Sequence, residues 1–184
     1  MANQGEGIFW GDAASDPKRG YRFFLYLGGI PVWVVKTVTK PSVTINTITH
    51  TYLNHTFNFP GRVEWNGEIQ ATLADPLAPD LAKTLIDTIR ASGYAYPDSP
   101  NAFVTTSKAK ALAALGGGVT IAQIDADGKA VEEWSLKNAW ISAAEFGSTL
   151  DYTSDEALEL SVTIKFDWAE MTVFGEPVAG MGGN

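Results

Sequence analysis

Between Lys40 and Arg62 lie 21 consecutive residues, PSVTINTITHTYLNHTFNFPG, without one Asp, Glu, Lys or Arg, in a chain that carries 34 such residues in all. Val43, Thr44, Ile45, Thr47, Ile48, Thr49, Thr51, Tyr52, Thr56, Phe57 and Phe59 are β-branched or aromatic, the types that favour extended, pleated backbone. The run is expected to be strand, folded as a long hairpin. An uncharged strand at a sheet edge offers unpaired N–H and C=O groups to any neighbour, and soluble monomers blunt such edges with charge, proline or bulges. Either the segment is buried in its own fold or a partner's strands complete it. The second option makes the chain an assembly subunit rather than an enzyme.

The remaining composition narrows the class. A length of 184 residues at 45% hydrophobic content suits one domain with its own core. Residues 19–174 are assigned to that domain, 1–18 to a flexible, Gly-containing arm and 175–184 to a flexible tail. Cysteine is absent, which removes disulfides, thiolate metal sites and thiol nucleophiles. No apolar run approaches the roughly 20 residues that span a bilayer, and the first residues lack a charged-then-apolar leader pattern. A soluble product without a membrane segment is expected, so the acceptor-like Asn54-His55-Thr56 means little. The net charge of -8 is uneven: residues 1–142 hold thirteen acids and twelve bases, a difference of -1, and residues 143–184 hold eight acids and Lys165 alone, a difference of -7. An acidic surface repels phosphate, so tight or sequence-specific nucleic-acid binding is not expected.

Periodicity gives mostly strand. Tyr21–Leu27 and Val32–Val38 are short apolar runs joined by Gly28-Gly29-Ile30-Pro31, read as a pair of strands. From Arg62 to Leu73, Val63, Trp65, Ile69 and Ala71 alternate with polar residues about an Asn66-Gly67 turn or bulge. Over 79–91 the period changes: Leu81, Leu85 and Ile89 recur every four residues, with Asp80 in the first turn, Arg90 in the last and Gly93 beyond. That segment is an amphipathic helix covering one side of the sheet, and Ser107–Leu115 is read as a second, short helix. Val119–Ile124 and Val131–Ile141 flank an Asp-Gly hairpin turn at 127–128. Finally Leu158, Leu160, Val162, Ile164, Phe166 and Trp168 alternate with polar residues as one closing strand. The expected fold is mainly β, an antiparallel sandwich or barrel with one flanking helix and a long hairpin arm over 41–61.

Candidates for chemistry each have a simpler explanation. Asp125-x-Asp127-Gly128 begins like a calcium loop but lacks the third acid, the distant bidentate glutamate and the flanking helices, so it reads as a hairpin turn. His50 and His55 are five apart and, within one strand, project to opposite faces without sharing a metal. Glu132-Glu133 and Asp155-Glu156 are adjacent on extended backbone, diverge, and read as solvated face or strand-end caps. Gly116-Gly117-Gly118 is followed by no Lys-Ser/Thr pair and is a turn or linker. No nucleophile elbow is present. No catalytic residue, cofactor or metal is assigned, and no enzymatic activity is expected. Six tryptophans leave one alternative of another class, a carbohydrate-binding β-sandwich, although Trp65, Trp134, Trp140 and Trp168 fall in alternating strands where rings serve core or interface more often.

In chain order, SDPKRGYRF (15–23), the uncharged run, FPGRVEW (59–65), IDADGKAVEEWSLKNAWI (124–141) and TSDEALELSVTIKFDW (153–168) together resemble the tail tube proteins of contractile-tailed bacteriophages, over residues 20 to 170. The resemblance implies a β-sandwich or barrel with one flanking helix, six copies closing into a ring, and rings stacking into a hollow tube inside a contractile sheath. It implies a virion protein, assembled in the host cytoplasm, whose lumen conducts double-stranded DNA during genome ejection without binding it specifically. Its partners would be copies of itself, the sheath, the baseplate and the tape-measure protein. The tube protein of type VI secretion is the related alternative. In closed rings of this family the sheets join into one inner barrel, each exposed edge completed by the next copy, and a long hairpin touches the neighbouring ring. Pro41–Gly61 is the candidate for that arm, with Thr44, Asn46, Thr47, Thr49, Thr51, Tyr52, Asn54 and Thr56 as interface residues. Glu159, Ser161, Thr163 and Lys165, on one parity of the closing strand, are candidates for the lumen wall.

Overall fold

The computed structural model describes residues 17–98, 103–116, 118–147, 149–153 and 155–174. The arm expected over 1–18 falls outside these residues up to 16, as do the tail expected over 175–184, Trp10 and Gly117. The order of elements is β1 (Phe23–Leu27), a 3-10 turn (Val32–Val34), β2 (Val35–Val38), β3 (Val43–Tyr52), β4 (His55–Trp65), β5 (Glu68–Ala74), α1 (Leu81–Ala91), α2 (Lys108–Ala114), β6 (Val119–Ile124), β7 (Ala130–Lys137), β8 (Trp140–Glu145), β9 (Glu159–Lys165) and β10 (Trp168–Val173). Two four-stranded antiparallel sheets, β1-β6-β7-β10 and β2-β5-β9-β8, face each other, and β3 pairs with β4 alone.

The core follows from alternation. Leu25 and Leu27 of β1, Val119 and Ile121 of β6 and Leu136 of β7 point inward from the first sheet. Ile69, Ala71 and Leu73 of β5 meet Leu160, Val162 and Ile164 of β9 in register in the second. Leu81 and Leu85 of α1 close the cluster. Asp80 caps α1, accepting a hydrogen bond from the Lys83 amide at 2.9 Å, and is thus the residue before the helix rather than part of its first turn. The short helix expected near 107–115 is present, with Ser107 as its cap. Its last residues lie so close to β1 that a Cβ on Gly28 would sit 2.2 Å from the Leu115 carbonyl oxygen; only glycine fits.

The expected long strands at 131–141 and 158–168 are each broken. After Lys137 the chain turns at Asn138 (φ 55) and enters the second sheet as β8; after Phe166 and Asp167 it leaves that sheet and enters the first as β10. Trp168 therefore belongs to a different strand from Leu160, Val162 and Ile164, and it is exposed. The two crossings support one another: the Asp167 carboxylate accepts from Asn138 Nδ2 and from Lys108 Nζ, each at 2.6 Å, and its amide donates to the Lys137 carbonyl. The pair of strands read at 21–38 is present only from Phe23, with a 3-10 turn over Val32–Val34, and its members lie in opposite sheets.

Candidate assembly surface

Where β2 and β5 leave their sheet, their ladder continues outward as β3 and β4. The Thr39 amide donates to the Gln70 carbonyl at 2.9 Å, the Gln70 amide to Thr39 Oγ1 at 2.8 Å, and the Asn66 amide to the Ser42 carbonyl at 2.9 Å. Beyond this neck the hairpin runs about 30 Å, at roughly 3.4 Å per residue. All ten residues of β3 are exposed, as are all of β4 except Gly61 and Trp65. Val43, Ile45, Ile48, Tyr52, Leu53, Phe57, Phe59 and Val63 present large apolar side chains to solvent. An isolated two-stranded hairpin is marginal in water at best.

Register divides the hairpin into two faces. Ile45 pairs with Val63 but Thr47 pairs with Pro60, so β4 carries one extra residue, a bulge at Gly61–Arg62. A Cβ on Gly61 would lie 2.9 Å from the Asn46 carbonyl oxygen, which is why glycine occupies the bulge. Along the outer half, Ile48 pairs with Phe59, His50 with Phe57 and Tyr52 with His55, which places these six on one face. Thr47, Thr49 and Thr51 face the other way with Thr56, Asn58 and Pro60, and Thr51 and Thr56 meet at 3.5 Å. Near the root the apolar side is reversed: Val43, Ile45, Val63 and Trp65 share the face that carries the threonines farther out. The tip is a two-residue turn, Leu53-Asn54, in which Leu53 adopts φ 51 and is 81% exposed.

The sequence-predicted interface residues are therefore all on the arm and exposed, but not together. Thr47, Thr49, Thr51 and Thr56 form one face; Thr44, Asn46 and Tyr52 lie on the other; Asn54 is in the tip. Ile48, Phe57 and Phe59, the most apolar group of the outer half, were not among them. The three-residue step from Ile45 to Ile48, in place of alternation, is the signal that marks the change of face. The two histidines are arranged differently from the expectation of one strand. They sit on opposite strands flanking the tip, not on one strand, and share a face as diagonal neighbours. No group of three metal-ligating side chains occurs among the described residues.

Glu159, Ser161, Thr163 and Lys165 lie together on the outer side of β9, beside Glu68, Gln70 and Thr72 of β5. Glu159 is ion-paired with Lys36 of β2. Among the described residues, the strands at the ends of this sheet, β2 and β8, each lack a neighbour on one side, as do β1 and β10 in the other sheet.

Glu132, read from sequence as a solvated or capping carboxylate, is instead buried at 7% exposure. It accepts hydrogen bonds from Lys18 Nζ, from Lys40 Nζ at 2.7 Å and from the Trp134 indole. Burial alone would raise its pKa, but those three donors outweigh it and hold the carboxyl down at about 2. Asp125 acts as a turn residue, its Oδ1 accepting from the Asp127 and Lys129 amides at 2.9 and 2.8 Å. Among the described residues the tryptophans form no common platform: Trp65 and Trp134 pack against the core, while the exposed Trp33 and Trp168 belong to different parts of the sandwich. A cavity of about 650 Å³ lies between the helices and β8, its charged lining being Lys108, Lys165 and Asp167.

No family model and no curated protein matches the chain. Solved structures match by fold. A chain in the sheath-tube complex of an extracellular contractile injection system, PVC, in its extended state superposes with a TM-score of 0.61 at 20% identity, over 88% of this chain and 95% of that one. A chain of the anti-feeding prophage tube-terminating cap gives 0.60 at 17% identity, over 86% and 92%. One from the six-fold symmetrised baseplate of the anti-feeding prophage gives 0.59 at 15% identity, over 88% and 99%. At these identities the likeness is one of fold.

Proposed function

We propose that this chain is a structural subunit of the tube of a contractile tail of the bacteriophage type, closing in six copies into rings that stack around a lumen. The observation that carries the reading is the arm: a root-anchored hairpin, free of charge from Pro41 to Gly61, projecting its apolar side chains from a fold shared with chains of contractile injection machines. Such a hairpin gains stability when copies of the chain cover it. The open outer edges of the strands at the ends of each sheet supply the second kind of contact, a heterologous one that closes when the rotation per subunit divides the circle. Partners are a sheath, a baseplate and a tape-measure protein, and the site of action is the virion.

In this reading the face carrying Gln70, Thr72, Glu159, Ser161, Thr163 and Lys165 lines the lumen. Hydroxyl and amide groups wet the wall, and the pairing of Lys36 with Glu159 leaves few free cations to retain passing DNA. The role is mechanical, with no catalytic step assigned. Sedimentation of the purified protein tests it: a six-copy species or larger multiples is expected, and a single monomeric boundary at all concentrations contradicts it.

A second reading, a tube subunit of an extracellular contractile injection system, is favoured by the source of the first of the similar folds. Particles that protect a genome from nuclease support the first reading; particles free of nucleic acid support the second.

A further inference from the structure

The neck of the arm is held by two different kinds of grip. On the β4 side, Trp65 packs against the core and meets the buried Phe166 ring edge-on, with centroids 6.4 Å apart. On the β3 side, Lys40 reaches across to the opposite sheet and binds Glu132 on β7 at 2.7 Å. The hydrogen bonds of Thr39 with Gln70 and of Ser42 with Asn66 join the two strands of the neck to each other, and so do not fix its direction relative to that opposite sheet. One grip leaves a two-stranded ribbon free to pivot about its neck; two grips on opposite strands define a direction.

We propose that Glu132 is the positioning residue of the arm, its buried carboxylate fixing Lys40 and thereby the angle at which the hairpin leaves the sandwich. Its surroundings suit a fixed strut. The carboxylate is almost wholly removed from water, which strengthens each charge-assisted bond, and both lysines approach from segments far away in sequence. The same carboxylate holds Lys18, ahead of β1, while the neighbouring inward residue Gln123 donates to the Arg19 and Arg22 carbonyls at 2.7 and 3.1 Å. The segment leading into β1 and the root of the arm are thus fastened at one end of the same pair of strands. This assignment concerns the monomer and stands apart from whether the arm makes the contacts proposed above.

The absence of cysteine permits a selective test. Spin labels placed by Thr49→Cys on the arm and Ala126→Cys on the β6–β7 turn report the arm angle as a distance distribution in dilute, monomeric protein. A single narrow distribution is expected for the parent, for Glu159→Gln and for Lys40→Arg, which keeps the ion pair. Glu132→Gln and Lys40→Met are expected to broaden it at least twofold with unchanged far-ultraviolet dichroism. If Glu132→Gln does not fold, Lys40→Met decides, since it leaves Lys18 and Trp134 on the carboxylate. A folded Lys40→Met protein with the parent's distribution overturns the assignment.

Discussion

Two residues carry most of the local argument, and one of them is Glu132. Its carboxyl ordinarily titrates near 4.5 and is held at about 2 in the folded chain, a difference worth about 3 kcal/mol. Because the folded value is the lower one, the stabilisation is complete above pH 4.5 and is lost as pH falls from there towards 2. Urea midpoints measured against pH should therefore fall over that window more steeply in the parent than in Glu132→Gln; parallel curves would refute the tie. The other residue is Leu53, an apolar side chain held outward at the arm tip on left-handed backbone, a conformation that costs a non-glycine residue about 1 to 2 kcal/mol. Leu53→Gly should leave the monomer as stable as the parent, or up to about 1 kcal/mol more so, while weakening assembly. A variant that assembles as well as the parent would show the tip to be without a contact.

At the scale of elements, sequence and structure agree where the signal is periodic and part where a chain changes sheet. The alternation of Leu160, Val162 and Ile164, the four-residue repeat of α1 and the hairpin of the uncharged run were all legible, because each is a local pattern. The breaks at Asn138 and Asp167 were not. Neither is marked by glycine or proline, and alternation continues nearly unbroken through both. What stops each strand is a tertiary hydrogen bond between the two crossing points, invisible from either alone. Glu132 was missed for the same reason, since its two lysine partners are 114 and 92 residues away. The two faces of the arm make their own prediction. A Thr47→Lys, Thr49→Lys pair should abolish polymer formation while the monomer keeps its dichroism spectrum, and Phe57→Glu on the other face should do the same. If the lysine pair polymerises normally, the threonine face is not an interface.

For the whole molecule, the surface is divided by task. Charge is plentiful on the sandwich and absent from the outer arm; under the proposed function, the net charge of -8 keeps free copies apart without opposing contacts made through uncharged strands. The fold is shared along most of its length with a chain of a contractile injection system's sheath-tube complex and with chains of the anti-feeding prophage cap and baseplate, while the low identity leaves the contacts themselves to be argued from this chain's own residues. Electron microscopy of the purified protein in negative stain is the test of self-assembly through the arm and the sheet edges. Six-fold rings or stacked tubes with an open centre are predicted. A strictly monomeric protein at high concentration, forming no rings even beside sheath or baseplate partners, would rule such assembly out.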